Sequence, residues 1–334
     1  MTALLLGGAG FIGLHLARRL LRDGHDVTIV DDFSRGRRDA DLDVVSRDAR
    51  VLDGDLTEPD TWAKLPHGWD EIYLLAAVVG VRNVERDPAR AVRVNSLPAL
   101  YLADWVVPGE KVFFASTSEV YAGGVDAGIV DVPTGEDVPV MVSDVTAPRF
   151  AYAIGKLTGE AMLVHSARAR GLAAVVGRFH NVYGPRMGAD HVIPEMSLRA
   201  LRGEDPFLVF GADQYRAFCY VDDAVEAMVR LMRTAAAAGQ IVHIGDDTAT
   251  TRIGDLAALV CRLAGVAPAF QTLPAPPGAV GRRCPDLDKL RRLTGYLPSV
   301  PLEAGVRRTL EWYQRFARTG PDATRSARVR RSAR

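Results

Sequence analysis

The sequence predicts an α/β fold: a Rossmann-type doubly wound parallel sheet with a smaller mixed α/β substrate-binding domain. Three observations lead there. Residues 2–32 read as strand, glycine turn, helix, strand and acid, the first unit of a dinucleotide site. Apolar strands then alternate with helical patterns as far as Arg178, as expected of parallel strands joined by helical crossovers. From Phe179 the alternation loosens, and Pro185, Pro194 and Pro206 interrupt it.

Thr2 to Leu6 is a short apolar run, the pattern of a strand buried on both faces. Gly7-Gly8-Ala9-Gly10-Phe11-Ile12-Gly13 follows, after which Leu14, Leu16, Ala17, Leu20 and Leu21 recur at helical spacing. Gly7 allows the tight turn, Gly10 lets the backbone approach a pyrophosphate at the helix N-terminus, and Gly13 lets the helix pack close to the strand. Asp26 to Val30 is a second buried run, and it ends in Asp31-Asp32. Asp31 is placed to accept hydrogen bonds from an adenosine ribose and to repel a 2′-phosphate, which favours NAD over NADP. Arg35, Arg37 and Arg38 stand close by as cations able to host that phosphate, an opposing signal.

Phe33 to Asp48 is polar and reads as a loop with a short helix. Arg50 to Leu52 is a brief strand closed by Asp53-Gly54-Asp55-Leu56, where an adenine ring could be flanked. Glu71 to Val78 reads as a buried strand, Asp87 to Val106 as a helix containing Asn95, and Lys111 to Ser116 as the next strand. Gly123 to Pro148, rich in Gly, Pro and Asp, reads as a loop at the mouth of an active site. Ala151 to Ala169 is an amphipathic helix, and Leu172 to Arg178 a strand. The expected division is a dinucleotide-binding domain over residues 1–178 with returning segments at about 212–263, including helices at Val221–Arg233 and Ile253–Leu263 that rejoin the main sheet. Residues 179–211 and 264–318 would form the smaller domain, and 319–334, with five Arg and little apolar content, a disordered tail.

The 334 residues are 48% hydrophobic and 25% charged, with 41 basic and 41 acidic side chains, so no net field recruits nucleic acid or an anionic membrane. No apolar run reaches transmembrane length and the chain opens directly into a strand. Cys219, Cys261 and Cys284 are odd in number and widely spaced, which reads as reduced thiols in a cytoplasmic protein, and neither they nor the seven His show metal-ligand spacing.

Tyr152 and Lys156 lie four apart on one helix face, where an ammonium beside a phenol would lower the phenol's pKa toward neutrality and make it a base. On spacing alone, a packed tyrosine and an exposed lysine are the commoner reading. Ser116-Thr117-Ser118, at the end of the preceding strand, adds hydroxyls able to hold a substrate oxygen near the same tyrosine.

Together these pieces resemble the extended short-chain dehydrogenase/reductases that act on nucleotide sugars. The matching residues are Gly7 to Gly13, Asp31, Asp55-Leu56, Leu75-Ala76-Ala77, Asn95, Ser116 to Tyr121, Tyr152 with Lys156, Asn181 to Arg186, Arg216 to Phe218, Tyr220 to Asp223, and Arg283 with Pro285-Asp286. The resemblance implies that NAD is held by Gly7, Gly10, Phe11, Ile12, Gly13, Asp31, Asp32, Asp55, Leu56, Leu75, Ala76, Ala77 and Asn95, together with Tyr152 and Lys156. It implies a C4 hydroxyl oxidised with Tyr152 as base, a UDP-sugar bound by Thr117, Asn181, Arg216 and Arg283, and a homodimer. Thr117-Ser118-Glu119 resembles UDP-glucuronate decarboxylases and also GDP-mannose dehydratases, whereas plain 4-epimerases usually lack the acid. Pro148-Arg149 before Tyr152, with Arg216-Ala217-Phe218, resembles the UDP-xylose-forming decarboxylases. The catalytic set is then Thr117, Ser118, Glu119, Tyr152, Lys156 and Arg216, with Arg216 equally readable as a diphosphate ligand. Gly155, where the family commonly has Ser, and Ala122 are departures expected to reshape the sugar pocket. The leading expectation is NAD-dependent decarboxylation of UDP-glucuronic acid through a C4-keto sugar. The alternatives are a 4,6-dehydratase, a 4-epimerase, or a non-catalytic NAD-binding sensor.

Overall fold

The structure is a computed structural model that describes residues 1–248, 250–275 and 281–319. The chain opens with β1 (Thr2–Leu6), α1 (Phe11–Arg22), β2 (Asp26–Asp31), α2 (Ala40–Val45), β3 (Arg50–Asp53) and α3 (Pro59–Ala63). It continues through β4 (Glu71–Leu74), α4 (Val81–Arg86), α5 (Pro88–Trp105), β5 (Lys111–Thr117), α6 (Ala122–Asp126), α7 (Ala151–Arg170) and β6 (Ala173–Phe179). The second half holds β7 (Val182–Tyr183), α8 (Val192–Leu201), β8 (Phe207–Phe210), β9 (Tyr215–Ala217), β10 (Cys219–Tyr220) and α9 (Val221–Arg233). Then come β11 (Ile241–Ile244), β12 (Thr250–Arg252), α10 (Ile253–Ala264), β13 (Phe270–Leu273), β14 (Arg282–Arg283), α11 (Asp288–Thr294) and α12 (Leu302–Thr319).

Seven strands form one parallel sheet in the order β11-β6-β5-β4-β1-β2-β3. The order reverses beside β1, and the crevice above that point is where such sheets take ligands. Helices cover both faces. Ala3 to Leu6 are wholly buried, each large apolar side chain there contributing about 1.5–3 kcal/mol, which explains an unbroken apolar run where a half-exposed strand would alternate. Side-chain signals start several helices: Asp39 accepts from Leu42 N at the start of α2, and Asp87 caps Arg90 N before Pro88 opens α5. Gly171 and Gly265, both left-handed, end α7 and α10.

The structure departs from the sequence reading in three places. The strand expected over Glu71 to Val78 stops at Leu74, because Leu75 N–H and Ala76 N–H both turn to the Leu6 carbonyl (2.8 and 3.0 Å). The presumed loop from Gly123 carries most of the short α6, and α3 and α4 are likewise too short for periodicity to reveal. The helix expected over Ile253–Leu263 forms as α10, but it packs on α8 and α12, while α9, expected to return, does pack on β5, β6 and β11, and β11 itself joins the main sheet. The expected disordered tail, apart from Thr319 at the end of α12, lies outside the described residues.

Candidate active site

A cleft of about 460 Å³ runs along the C-terminal edge of the sheet over the glycine turn. Its walls include Gly7, Gly10, Phe11, Ile12, Gly13, Asp31, Asp32, Asp55, Leu56, Leu75, Ala76 and Ala77, which is the expected cofactor set apart from Asn95, Tyr152 and Lys156. Two glycines are sterically required. Gly7 has φ 85°, and a Cβ there would fall 2.4 Å from Ala76 N; at Gly13 a Cβ would fall 2.6 Å from Gly8 Cα. The N-terminus of α1 opens at Gly10 beneath the cleft, so its free N–H groups and positive dipole end suit a diphosphate. The residues present fit NAD.

Asp31 does more than face a ribose. Its two carboxylate oxygens accept from Ala9 N (3.0 Å) and Phe33 N (2.9 Å), so the acid orders the glycine turn as well. Burial pushes its pKa up, with those two amides opposing the shift. Asp32 is exposed and accepts from Ser34. Of the three nearby cations, Arg35 donates to the Val79 carbonyl (2.5 Å) and Arg38 pairs with Asp53 and stacks 3.7 Å over Phe33, while Arg37 lies over Phe316 (4.8 Å) but leaves its buried Nη1 without a hydrogen-bond partner beside the cleft. Asn95 is buried off the cleft, and its amide accepts from Val78 N (2.9 Å) and donates to Val78 O (3.1 Å); it shapes the cleft through that wall residue.

Tyr152 sits half-buried in the first turn of α7, hydrogen-bonded to the Thr117 hydroxyl at the end of β5. Lys156, one turn on, is fully buried with Nζ 4.9 Å from the centre of the Phe114 ring. The pair's electrostatics differ from the sequence expectation. Burial pushes the Tyr152 phenol up, Thr117 opposes this, and Glu119 raises it further; burial brings Lys156 down to about 7 against the pull of Glu160. Desolvation outweighs any ammonium–phenol attraction in the chain by itself. Of the three hydroxyls expected to hold substrate, Ser116 is diverted: it donates to Glu160, which also takes two bonds from Arg178 in a buried pair. Thr117 remains beside Tyr152 and also accepts from Glu119 N (3.2 Å), while Ser118 is buried in the same turn and lines a small cavity with Tyr121 and Arg283.

Glu119 pairs with Arg283, whose Nη2 donates to Oε2 at 3.1 Å while Nη1 donates to Oε1. Burial raises the Glu119 carboxyl, but the Arg283 charge and hydrogen bonds, with Arg149 and Arg216 further off, hold it below the usual range. Arg216 is not bonded to Glu119. Its guanidinium donates to Tyr215 O (2.8 Å) and Gln214 Oε1 (3.1 Å), and burial with Arg283 beside it lowers its pKa to about 10. Strand pairing sets the two arginines side by side, Arg283 opposite Arg216. Asn181, at φ 40°, donates to the Ala217 carbonyl (2.9 Å) and so anchors the strand that carries Arg216. Gly155, expected to reshape the sugar pocket, instead sits at a helix–helix seam. It faces α5, where a Cβ would fall 2.7 Å from Asn95 Cβ.

Sequence reasoning missed the Glu119–Arg283 pairing, the Glu160–Arg178 pair and the buried contact of Tyr121 with His180 (2.6 Å), beside which His243 packs. Each joins residues more than fifteen positions apart, beyond any local spacing rule. Among the described residues no three or more His, Cys, Asp or Glu are grouped to hold a metal, and Cys219, Cys261 and Cys284 are buried free thiols.

The profile of the NAD dependent epimerase/dehydratase family matches residues 3–245. The chain is 33% identical over 317 residues to UDP-glucuronic acid decarboxylase 1 of Danio rerio, covering 93% of this chain and 72% of that one. It is 31% identical over 322 residues to UDP-N-acetyl-alpha-D-glucosaminuronate decarboxylase of Bacillus cytotoxicus, covering 93% and 97%. Among solved structures, UDP-glucuronic acid 4-epimerase from Bacillus cereus in complex with UDP-glucuronic acid and NAD superposes with a TM-score of 0.84 at 25% identity, over 95% of this chain and all of that one.

Proposed function

This chain belongs to the NAD dependent epimerase/dehydratase family, and from that premise we propose that it decarboxylates UDP-glucuronic acid through a C4-keto sugar, giving UDP-xylose or its 4-keto form. The observation that carries the reading is the Glu119–Arg283 pair at the end of β5, with Arg216 in register beside it and the Tyr152 phenol close enough for Glu119 to shift it. Two guanidinium groups against one carboxylate leave a net positive charge suited to a uronate.

NAD, when bound, accepts the hydride from C4. The chain's own residues do the rest. Tyr152 takes the C4 hydroxyl proton with Thr117 fixing its orientation, and Lys156, one turn on and lowered by burial to about 7, can exchange a proton near neutral pH in support of that transfer. The resulting ketone is β to the C6 carboxylate. The C5–C6 bond then breaks as carbon dioxide leaves, the bonding pair remains at C5, and a proton is added there to give the 4-keto pentose; UDP-xylose would then require the hydride to return to C4. Arg283 and Arg216 hold the carboxylate before it leaves, and Glu119 with Ser118 steers the enolate. The relatives' names support decarboxylation of a UDP-uronate.

Several finer readings belong to the same proposal. The nucleotide sugar lies between the sheet edge and segments 179–211 and 264–318, with residues 1–178 and the returning 212–263 forming the NAD domain. Asp31, together with the engagement of Arg35 by Val79 and of Arg38 by Asp53, supports NAD over NADP, with the unsatisfied Nη1 of Arg37 as the opposing signal. The chain pairs as a homodimer through α5 and α7, where Ile154, Leu157 and Met162 are only half-buried; a monomer in light scattering at micromolar concentration overturns that. No described helix is long and apolar enough to cross a membrane, and a cytoplasmic setting suits the free thiols. The deciding experiment is mass spectrometry of UDP-glucuronic acid after incubation with the protein and NAD. Loss of carbon dioxide supports the reading; loss of water or an unchanged mass points to a dehydratase or an epimerase instead.

A further inference from the structure

Arg186 closes the Asn181-Val182-Tyr183-Gly184-Pro185 run, and the mechanism above gives it nothing to do. Its side chain is 2% exposed and its backbone sits at φ 72°, a left-handed conformation that a non-glycine residue keeps only where its surroundings hold it. All five guanidinium N–H groups find acceptors. Nε and Nη2 donate to the two Asp39 carboxylate oxygens (2.9 and 3.1 Å), and Nη2 donates again to the Arg37 carbonyl (2.7 Å). Nη1 donates to the carbonyls of Ala9 (2.7 Å) and Gly10 (3.1 Å).

These acceptors come from two stretches that leave the adjacent ends of the paired strands β1 and β2, the glycine turn and the loop beyond Asp31, where the strand pairing has stopped. The Ala9 peptide is gripped from both sides, its N–H by Asp31 and its carbonyl by Arg186. The backbone of Arg186 runs on into Met187 to His191, which form another wall of the same cleft. A brace stands behind: in α12, Trp312 Nε1 donates to Asp41 Oδ2 (2.9 Å) and the Tyr313 hydroxyl donates to the Met187 carbonyl.

The geometry points to Arg186 as the positioning residue of the dinucleotide cleft, a buried staple that fixes the glycine turn against the adenosine-side loop before NAD arrives. It touches no reacting atom and acts through the turn it holds. A planar five-donor fork can satisfy both stretches at once, whereas a lysine keeps the charge but cannot span them. The inference rests on the assignment of NAD to this cleft.

The test uses the full chain as Arg186→Lys, Arg186→Met and Asp39→Asn, with three readouts: NAD affinity by fluorescence titration, UDP affinity by calorimetry, and a thermal melt. Charge-assisted bonds of this kind predict NAD affinity weakened about tenfold or more in both Arg186 variants and about threefold in Asp39→Asn, with UDP affinity held within about twofold. In turnover, the KM for NAD rises while kcat at saturating NAD falls far less. Wild-type NAD affinity in Arg186→Lys overturns the inference, as does parallel loss of NAD and UDP binding, which marks a general structural role. If the Arg186 variants fail to fold, Asp39→Asn decides alone, and unchanged NAD affinity there overturns it. A wild-type chain that binds no NAD defeats the cofactor assignment instead.

Discussion

Two residues four positions apart, Tyr152 and Lys156, meet burial differently: the phenol is pushed up and the ammonium is brought down to about 7. A buried phenol with one hydroxyl partner makes a testable base. Tyr152→Phe keeps the ring packing and removes the proton acceptor, so NADH formation and carbon dioxide release should fall together by about 100- to 10,000-fold, and Lys156→Met should be comparably damaging. Absorbance at about 340 nm follows the first step independently of the second. Glu119 and the arginines separate by the same measurement. Glu119→Gln removes the charge that Arg283 balances, so NADH should still form while carbon dioxide release slows. Arg216, bonded to Tyr215 and Gln214 rather than to Glu119, should act as a binding group: Arg216→Ala raises KM with little change in kcat. Equal loss of both steps in Glu119→Gln would place that carboxylate in the oxidation itself.

At the scale of elements, the contact between α5 and α7 joins packing to chemistry. Gly155 lets α7 approach Asn95, and Gly159 lets it approach Phe114, whose Cζ would lie 2.5 Å from an added Cβ. Asn95 in turn fixes Val78 on the cleft wall, and Phe114 lies against Lys156. Gly155→Val overfills this seam, and such overpacking costs about 1–3 kcal/mol. The expected result is a lower urea midpoint accompanied by weaker NAD binding, because the displaced α5 carries Asn95 with it. A stability loss with intact NAD affinity would show that the wall tolerates the shift.

Across the whole molecule, two buried imidazoles tie stability to pH. His180 and His243 are 2% and 0% exposed, and burial holds both below their ordinary pKa, His243 at about 3. Their folded pKa lies below the unfolded value near 6.5, so the unfolded chain binds more protons in acid. Their contribution is complete above about pH 6.5 and is lost as pH falls from there toward the folded values, at up to about 1.4 kcal/mol per pH unit for each imidazole. Asp31 and Glu136, raised by burial, partly offset this at the acid end of the range. Urea midpoints between about pH 7.5 and 5.5 should therefore decline on acidification, and His243→Asn should flatten the slope. A flat wild-type profile would mean that these imidazoles ionise freely.

The sequence by itself determined the parallel sheet, the glycine turn and the presence of Asp31, Tyr152 and Lys156, because apolar runs, glycine spacing and the helical period are local and survive in one dimension. It also named Glu119, Arg216 and Arg283 as candidates, but not their partners. Only the tertiary structure decided that Arg283 takes Glu119, that Ser116 turns away to Glu160, and that Arg186 binds two loops. Those choices depend on chain reversal bringing residues up to 177 positions apart within hydrogen-bond reach. Burial then reset the Tyr152 and Lys156 energetics, since desolvation depends on what surrounds a group in space and not on its neighbours in the chain.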